Sequence, residues 1–164
     1  MELMQFVVLL SALLCSLVAG LVLTFAIVVM PGIKTLGDRD YLGSFKAIDR
    51  VIQNNQPVFM LVWLGSVLVL LATTVLGVWR LEGVDRILLF VACTIYVVGV
   101  QVPTAAINIP LNNHLQTQDL DTMPEPELHA LAERFDSKWL RWNTIRTVVA
   151  TLTTVILLVL LERL

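Results

Sequence analysis

The sequence predicts an all-α integral membrane protein: a four-helix transmembrane bundle with amphipathic helices in its two long loops. Three observations predict it. Hydrophobic residues make up 57% of the 164, and the mean hydropathy is +0.83. Charged residues make up 15%, against about 25% in a soluble domain. The apolar residues gather in four long segments separated by charged ones, and a bilayer core of roughly 30 Å needs about 20 such residues per helix. One membrane domain, residues 1–164, accommodates the length.

The first span is expected over residues 6–30. The run from Leu3 to Ile33 carries no charge. It is too long for a signal-peptide core, and Glu2 stands where a basic flank would be. Ser11, Cys15 and Ala19, and beside them Ser16, Gly20 and Thr24, recur every four positions, a spacing that allows close helix packing in lipid. Tyr41, Phe45, Ile48 and Ile52 then mark one face of an amphipathic helix. Arg39, Lys46, Asp49 and Arg50 lie off that face, so the helix is expected on the membrane surface or over the end of the bundle.

Pro57 suits a first helical position and opens the second span, residues 57–79. The segment Arg80–Arg86 is short enough to make the second and third spans antiparallel neighbours. The third span covers residues 86–107, with Gln101, Thr104 and Asn108 on one face and a kink expected at Pro103. Asn108-Ile109-Pro110-Leu111-Asn112 reads as an irregular exit. Thr122-Met123-Pro124-Glu125 has the spacing of a capping box. The helix that follows has an apolar stripe at Leu128, Leu131, Phe135, Trp139 and Trp142, and the next step lands on Arg146. The fourth span is expected over residues 142–161.

Eight Lys or Arg residues border the long-loop side, from Lys34 to Arg146, against Arg80, Arg86 and Arg163 on the other. That asymmetry favours a cell-membrane protein with its long loops in the cytoplasm. The net charge of −2 points away from nucleic acid. Cys15, Cys93, His114 and His129 have no ligand spacing, so no metal site is expected. Membrane lipid is the partner that composition requires. A homo-oligomer or a larger membrane complex stays open.

The stretch Trp139-Leu140-Arg141-Trp142-Asn143-Thr144-Ile145-Arg146 carries the functional question. From Thr147 to Leu161 there are 15 uncharged residues, roughly 22 Å of helix, too little for the bilayer core. Arg146 is therefore drawn about one turn inside it. There a charge needs water, a partner or a path to the interface. The expected partner is Asn108 or a carbonyl near it.

With Asn108-x-Pro110-x-Asn112 and Trp139-x-x-Trp142-Asn143-x-x-Arg146, the sequence resembles the anthrone oxygenase-like family of small four-span membrane proteins. The resemblance covers most of the chain. It implies oxidation of an anthrone to an anthraquinone without metal or flavin, hence no cofactor. Such chemistry binds a planar, acidic, lipophilic ring compound and stabilises its anion for attack on dioxygen. Trp139 and Trp142 are then candidate walls. Asn108, Asn112 and Asn143 are candidate donors, Arg146 the fixed charge, and His114 or Asp49 the base. Plainer uses stand beside these. Tryptophans anchor spans at the interface, an arginine can snorkel, and asparagines satisfy kinked backbone. A non-catalytic ligand-binding bundle or an accessory subunit is the competing function, and a transporter fits less well without an inverted repeat.

Overall fold

The computed structural model describes Glu2 to Leu164, and every regular element in it is helical. The helices are α1 (Leu3–Ile33), α2 (Asp38–Gln53), α3 (Pro57–Arg80), α4 (Gly83–Gln116) and α5 (Glu125–Arg163). All but α2 are long and apolar enough to cross a membrane. This is a helical membrane bundle.

In the bundle, α1 packs along both α3 and α5, and α5 also packs along α4. Their shared interior holds Val8, Cys15, Val18, Leu70, Leu89, Tyr96, Leu157 and Leu160. Outward-facing Ile27, Leu61, Leu68 and Val98 stay exposed, as lipid-facing side chains should. Two pairs of hydroxyls meet inside: those of Ser11 and Thr73 lie 2.9 Å apart, and those of Ser66 and Tyr96 2.7 Å apart. At α3, the Gln56 side chain accepts from the Phe59 N–H and Pro57 occupies the first turn, where no backbone donor is missed. The link to α4 turns at Gly83, whose φ of +53° suits a residue without a β-carbon.

A second apolar cluster sits over the long-loop end of the bundle. Tyr41, Leu42 and Phe45 of α2 pack with Met30, Leu115, Leu128, Phe135 and Trp139. Phe45 meets the rings of Phe135 and Trp139 edge-on at 4.7 and 5.2 Å. Burying such a side chain contributes about 2–3 kcal/mol. Tyr41 donates to Asp136 at 3.0 Å, and Lys34 pairs with the same carboxylate. Burial, with Asp136 adding to it, pushes the Tyr41 phenol well up, so it stays a donor. Thus α2 caps the bundle. Its buried face is Tyr41, Leu42, Phe45 and Asp49, not Tyr41, Phe45, Ile48 and Ile52. Ile48 and Ile52 are half-buried, Ile52 on a cavity wall, and Asp49 turns inward because the amides of Gln53, Asn112 and Gln116 donate to it.

Two further expectations fail for stated reasons. The capping box does not form: the Thr122 hydroxyl donates to Asp119, and α5 begins after Pro124 without a side-chain cap. The stretch from Asn108 to His114 is not an irregular exit but helix, continuous from Gly83 to Gln116. Its prolines are absorbed by π turns. The N–H of Met30 donates to Phe25, that of Val102 to Val97, and that of Ile109 to Thr104. Each bond spans five residues, and each donor directly precedes a proline: Pro31, Pro103 and Pro110. A proline ring collides with the carbonyl four residues back and offers no N–H. A wider turn just before it moves that carbonyl aside, and the helix goes on.

Two outcomes test this packing. A β-carbon at Gly99 would stand 2.8 Å from Val149 Cγ1, and the branched side chain has little freedom to retreat. Gly99→Ala should therefore cost about 1–3 kcal/mol in detergent unfolding, and adding Val149→Ala should recover most of it. His129 of α5 contacts Asp38 of α2 at 2.8 Å, with Glu133 behind it. Its imidazole is raised above the usual 6.5, first by the Asp38 hydrogen bond and then by the Glu133 charge. A raised value means the contact stabilises fully below pH 6.5 and fades as pH climbs through the raised value. The melting temperature should exceed that of His129→Gln slightly at low pH, and the difference should vanish at alkaline pH.

Candidate functional site

The widened turns of α4 align one polar row. Gln101, Thr104, Asn108, Asn112 and Gln116 follow at steps of three, four, four and four, one face of a helix. Four of the five have side-chain partners. Gln101 Oε1 accepts from Trp63 Nε1 at 3.1 Å. Thr104 Oγ1 accepts from Arg146 at 3.0 Å. Asn112 donates to Asp49 at 2.7 Å and accepts from Trp139 Nε1 at 2.9 Å. Gln116 donates to Asp49 at 2.8 Å. The fifth, Asn108, is 2% exposed, and neither atom of its amide has a partner.

Across the row stands Arg146, 5% exposed. Its Nη1 donates to Thr104 and its Nη2 to Asn143 Oδ1 at 2.9 Å. Asn143 in turn donates to the Val22 carbonyl of α1 at 2.9 Å. The guanidinium carbon lies 5.8 Å from the centre of the Trp139 ring, within range of a cation–π attraction. Its Nε has no partner. Among the described residues no carboxylate pairs with it. The charge is held by a hydroxyl, an amide and an aromatic face.

Asp49 is the counterpart, 4% exposed. Asn112 donates to its Oδ1, and Gln53 (2.6 Å) and Gln116 donate to its Oδ2. A carboxylate offers about four acceptor positions. Three are taken, which leaves one on Oδ1. The two opposite charges are joined by a path of contacts: Arg146 over the Trp139 ring, Trp139 to Asn112, Asn112 to Asp49.

Between them lies a cavity of about 400 Å³, bounded by α1, α2, α3, α4 and α5. Phe25, Phe45, Phe59, Trp63 and Trp139 give it aromatic walls. Asp49, Gln101, Asn108 and Arg146 line it; both amide atoms of Asn108 and Arg146 Nε are buried without a hydrogen-bond partner.

Of the residues singled out in the sequence, Asp49, Asn108, Asn112, Trp139, Asn143 and Arg146 all line this cavity. Two do not. Trp142 is half-buried off its wall, because the inward stripe of α5 runs through Trp139, Asn143 and Arg146. His114 is exposed and borders a separate, more open hollow of about 850 Å³ between the end of α4 and the first turns of α5. It stands two positions from both Asn112 and Gln116, about 200° around the helix, which turns it to the side opposite the polar row. The partner of Arg146 is Thr104, one turn before the expected Asn108. Sequence reasoning missed Trp63, Phe25, Phe45, Gln53 and Gln116. Only Gln116 left a signal, the continuation of the polar row, and reading the exit of α4 as irregular hid it.

A family model described as anthrone oxygenase matches residues 49–156. The match begins at Asp49 and takes in all of the polar row and Arg146. No curated protein and no solved structure matches the chain.

The Arg146–Thr104 contact has a measurable signature. Arg146→Ala leaves Thr104 and Asn143 short of a donor, and Thr104→Val leaves the guanidinium short of an acceptor. In detergent unfolding the two substitutions should be non-additive by about 0.5–3 kcal/mol. Additive effects would mean that the contact carries no coupling.

Proposed function

The chain belongs to the anthrone oxygenase family, and from that premise we propose that it oxygenates a planar, lipophilic ring compound of the anthrone type in the cavity between Asp49 and Arg146. The observation that carries this reading is Asn108, buried and unpartnered in the middle of a row whose other members are all paired. A buried amide without a partner costs about 1–3 kcal/mol, and a ligand oxygen placed between Asn108 Nδ2 and Arg146 Nε satisfies both donors.

The chemistry follows from the groups. The ketone oxygen of the ring sits at that pair of donors, and the methylene carbon across the ring faces outward to Asp49. The free position on Asp49 Oδ1 takes a proton from the methylene, and the electron pair moves onto the ketone oxygen. The resulting oxyanion is stabilised by two donors already in place, which is where such sites gain most. The electron-rich carbon reduces dioxygen and forms a C–O bond, and a proton completes the hydroperoxide. Loss of the second methylene proton with cleavage of the O–O bond releases water and leaves a carbonyl. The balance is CH2 plus O2 to C=O plus H2O. Aromatic walls keep water from the anion, and Gln53, exposed at the rim, connects Asp49 with the aqueous side.

The test uses the full chain in lipid nanodiscs with an anthrone, following oxygen uptake and quinone absorbance together. Asp49→Asn should lower turnover by about 10²–10⁴, and Arg146→Gln by about 10²–10³, with the fold retained. An anthrone that binds the wild-type protein but is not turned over would sink the oxygenase reading and leave a ligand-binding bundle.

A further inference from the structure

The second and third spans part company half way along. α3 packs against the stretch Gly83–Tyr96 of α4 but not along its π turns. Every buried residue of α3, namely Ser66, Leu70, Thr73 and Gly77, lies on the short-turn side of Gly65. From Pro57 to Gly65 none is buried. Two hydrogen bonds mark the limit: Ser66 to Tyr96 at 2.7 Å and, one turn on, Trp63 to Gln101 at 3.1 Å. Beyond them, among the described residues, no hydrogen bond joins the two helices toward the long loops.

The cavity reaches this gap. On α3 it is lined by Phe59, Met60, Trp63 and Leu64, and not by Val58 or Val62. Val58 and Val62 share a face with Gly65, whose β-carbon would lie 3.7 Å from Leu14 of α1. The cavity therefore opens on the α4 flank of α3, not on the α1 flank. Both edges of the opening face two ways. Leu64 and Ile109 line the cavity and are still 53% and 47% exposed, and Ala105, one turn below Ile109, also lines it and is exposed. The result is a slot. Its floor is the Trp63–Gln101 contact, and its top is the bond from Gln53 to Asn113 at 3.2 Å. Gln101 to Asn113 is twelve residues, roughly 15–18 Å of helix. The edges are apolar, and they stand in the first turns of α3, at the level of the acyl chains on the long-loop side.

We propose that this slot is the entrance to the cavity, through which a planar, lipophilic ring compound dissolved in the bilayer passes sideways between α3 and α4. The proposal rests on the reading of the cavity as a site for such a ring. A ring of this kind resides in the membrane, because its apolar surface is driven out of water. Entering edge-first, it keeps its faces on Met60, which is adaptable, and on Ala105, which is small. On the aqueous side it would have to pass Asp49 and the amides that hold it.

The experiment follows 9,10-anthraquinone, an unreactive probe, binding to the full chain in nanodiscs by quenching of tryptophan fluorescence, since Trp63 and Trp139 stand in the cavity wall. Ala105→Phe narrows the slot, and Ile109→Phe narrows it one turn higher. Leu61→Phe adds an aromatic ring to α3 at a position 70% exposed and off the cavity wall. An obstruction in a passage raises one barrier, so entry and exit slow by the same factor and Kd stays. Each slot variant should lower both rate constants by about 5–10-fold with Kd within about twofold, and Leu61→Phe should change neither. Melting temperatures establish that the variants are folded, and either slot variant suffices. In the wild type, with total probe fixed and lipid varied, the association rate should follow the mole fraction of probe in the bilayer. Unchanged rates in a folded slot variant, a Kd raised through faster release alone, or an association rate that follows the aqueous concentration overturns the entrance and leaves the cavity standing as a ring site. Wild-type protein that binds no probe overturns the ring site and the entrance with it.

Discussion

A guanidinium inside a membrane helix with no carboxylate beside it must be held by dipoles, and the arrangement around Arg146 follows from that need. Placing such a charge near the middle of a span costs about 2.5–3.5 kcal/mol on insertion scales, and less toward the edge. Thr104 and Asn143 offset part of this by accepting its protons, and Trp139 by presenting its ring face. Each of these is fixed by something further out. Asn143 is tied to the α1 backbone at Val22, and Trp139 to Asn112. Asn112 is tied to Asp49. The charge in the bundle and the charge under the cap are thus ends of one network that crosses four of the five helices.

That network needs α4 to stay helical through two prolines. An α-helix broken at Pro103 would lose the register that puts Gln101 and Thr104 on the face of Asn112 and Gln116. The π turns before Pro103 and Pro110 keep the chain helical and the row aligned. Polar side chains and wide turns coincide here because both serve one end: Thr104 and Asn108 are the first and last residues of the same π turn. The cap contributes in the other direction. Phe45 closes the cavity from above against Phe135 and Trp139, and on the same face of α2 Asp49 is lowered into reach of three amides.

Much of this could be read from the residues. Four apolar segments and one amphipathic helix follow from hydropathy and period alone. The short uncharged part of the last span foretold that Arg146 would be drawn inward, and the family resemblance rested on residues that do line the cavity. What could not be read has physical causes. Proline and asparagine in Asn108–Asn113 signal irregular chain, and a π turn that rescues the helix leaves no mark in composition. Asp49 lies off the apolar stripe of its helix, so period alone points it toward solvent even though the resemblance makes it a candidate base. The amides of Asn112 and Gln116, far along the chain, together with Gln53 one turn on, reverse the preference. Trp142 and Asn143 are neighbours, and a helical stripe cannot be placed to within one residue when steps of three and four alternate.

Each π turn is, in effect, one residue more than an α-helix of the same rise would hold. Helical side chains advance about 100° per residue, so the two extra residues in α4 rotate everything on one side of them relative to the other. Deleting a single residue from Thr104–Asn108 would leave hydropathy, length and charge almost unchanged, and by spanning criteria the helix would look intact. Yet it would swing Gln101 by more than a quarter turn away from Asn112, toward lipid or a neighbouring helix. In this chain an alignment gap of one position in the third span is therefore a change of azimuth. Relatives that differ there by one residue differ in which side chains their bundle can offer to a guest, however similar the rest of their sequences.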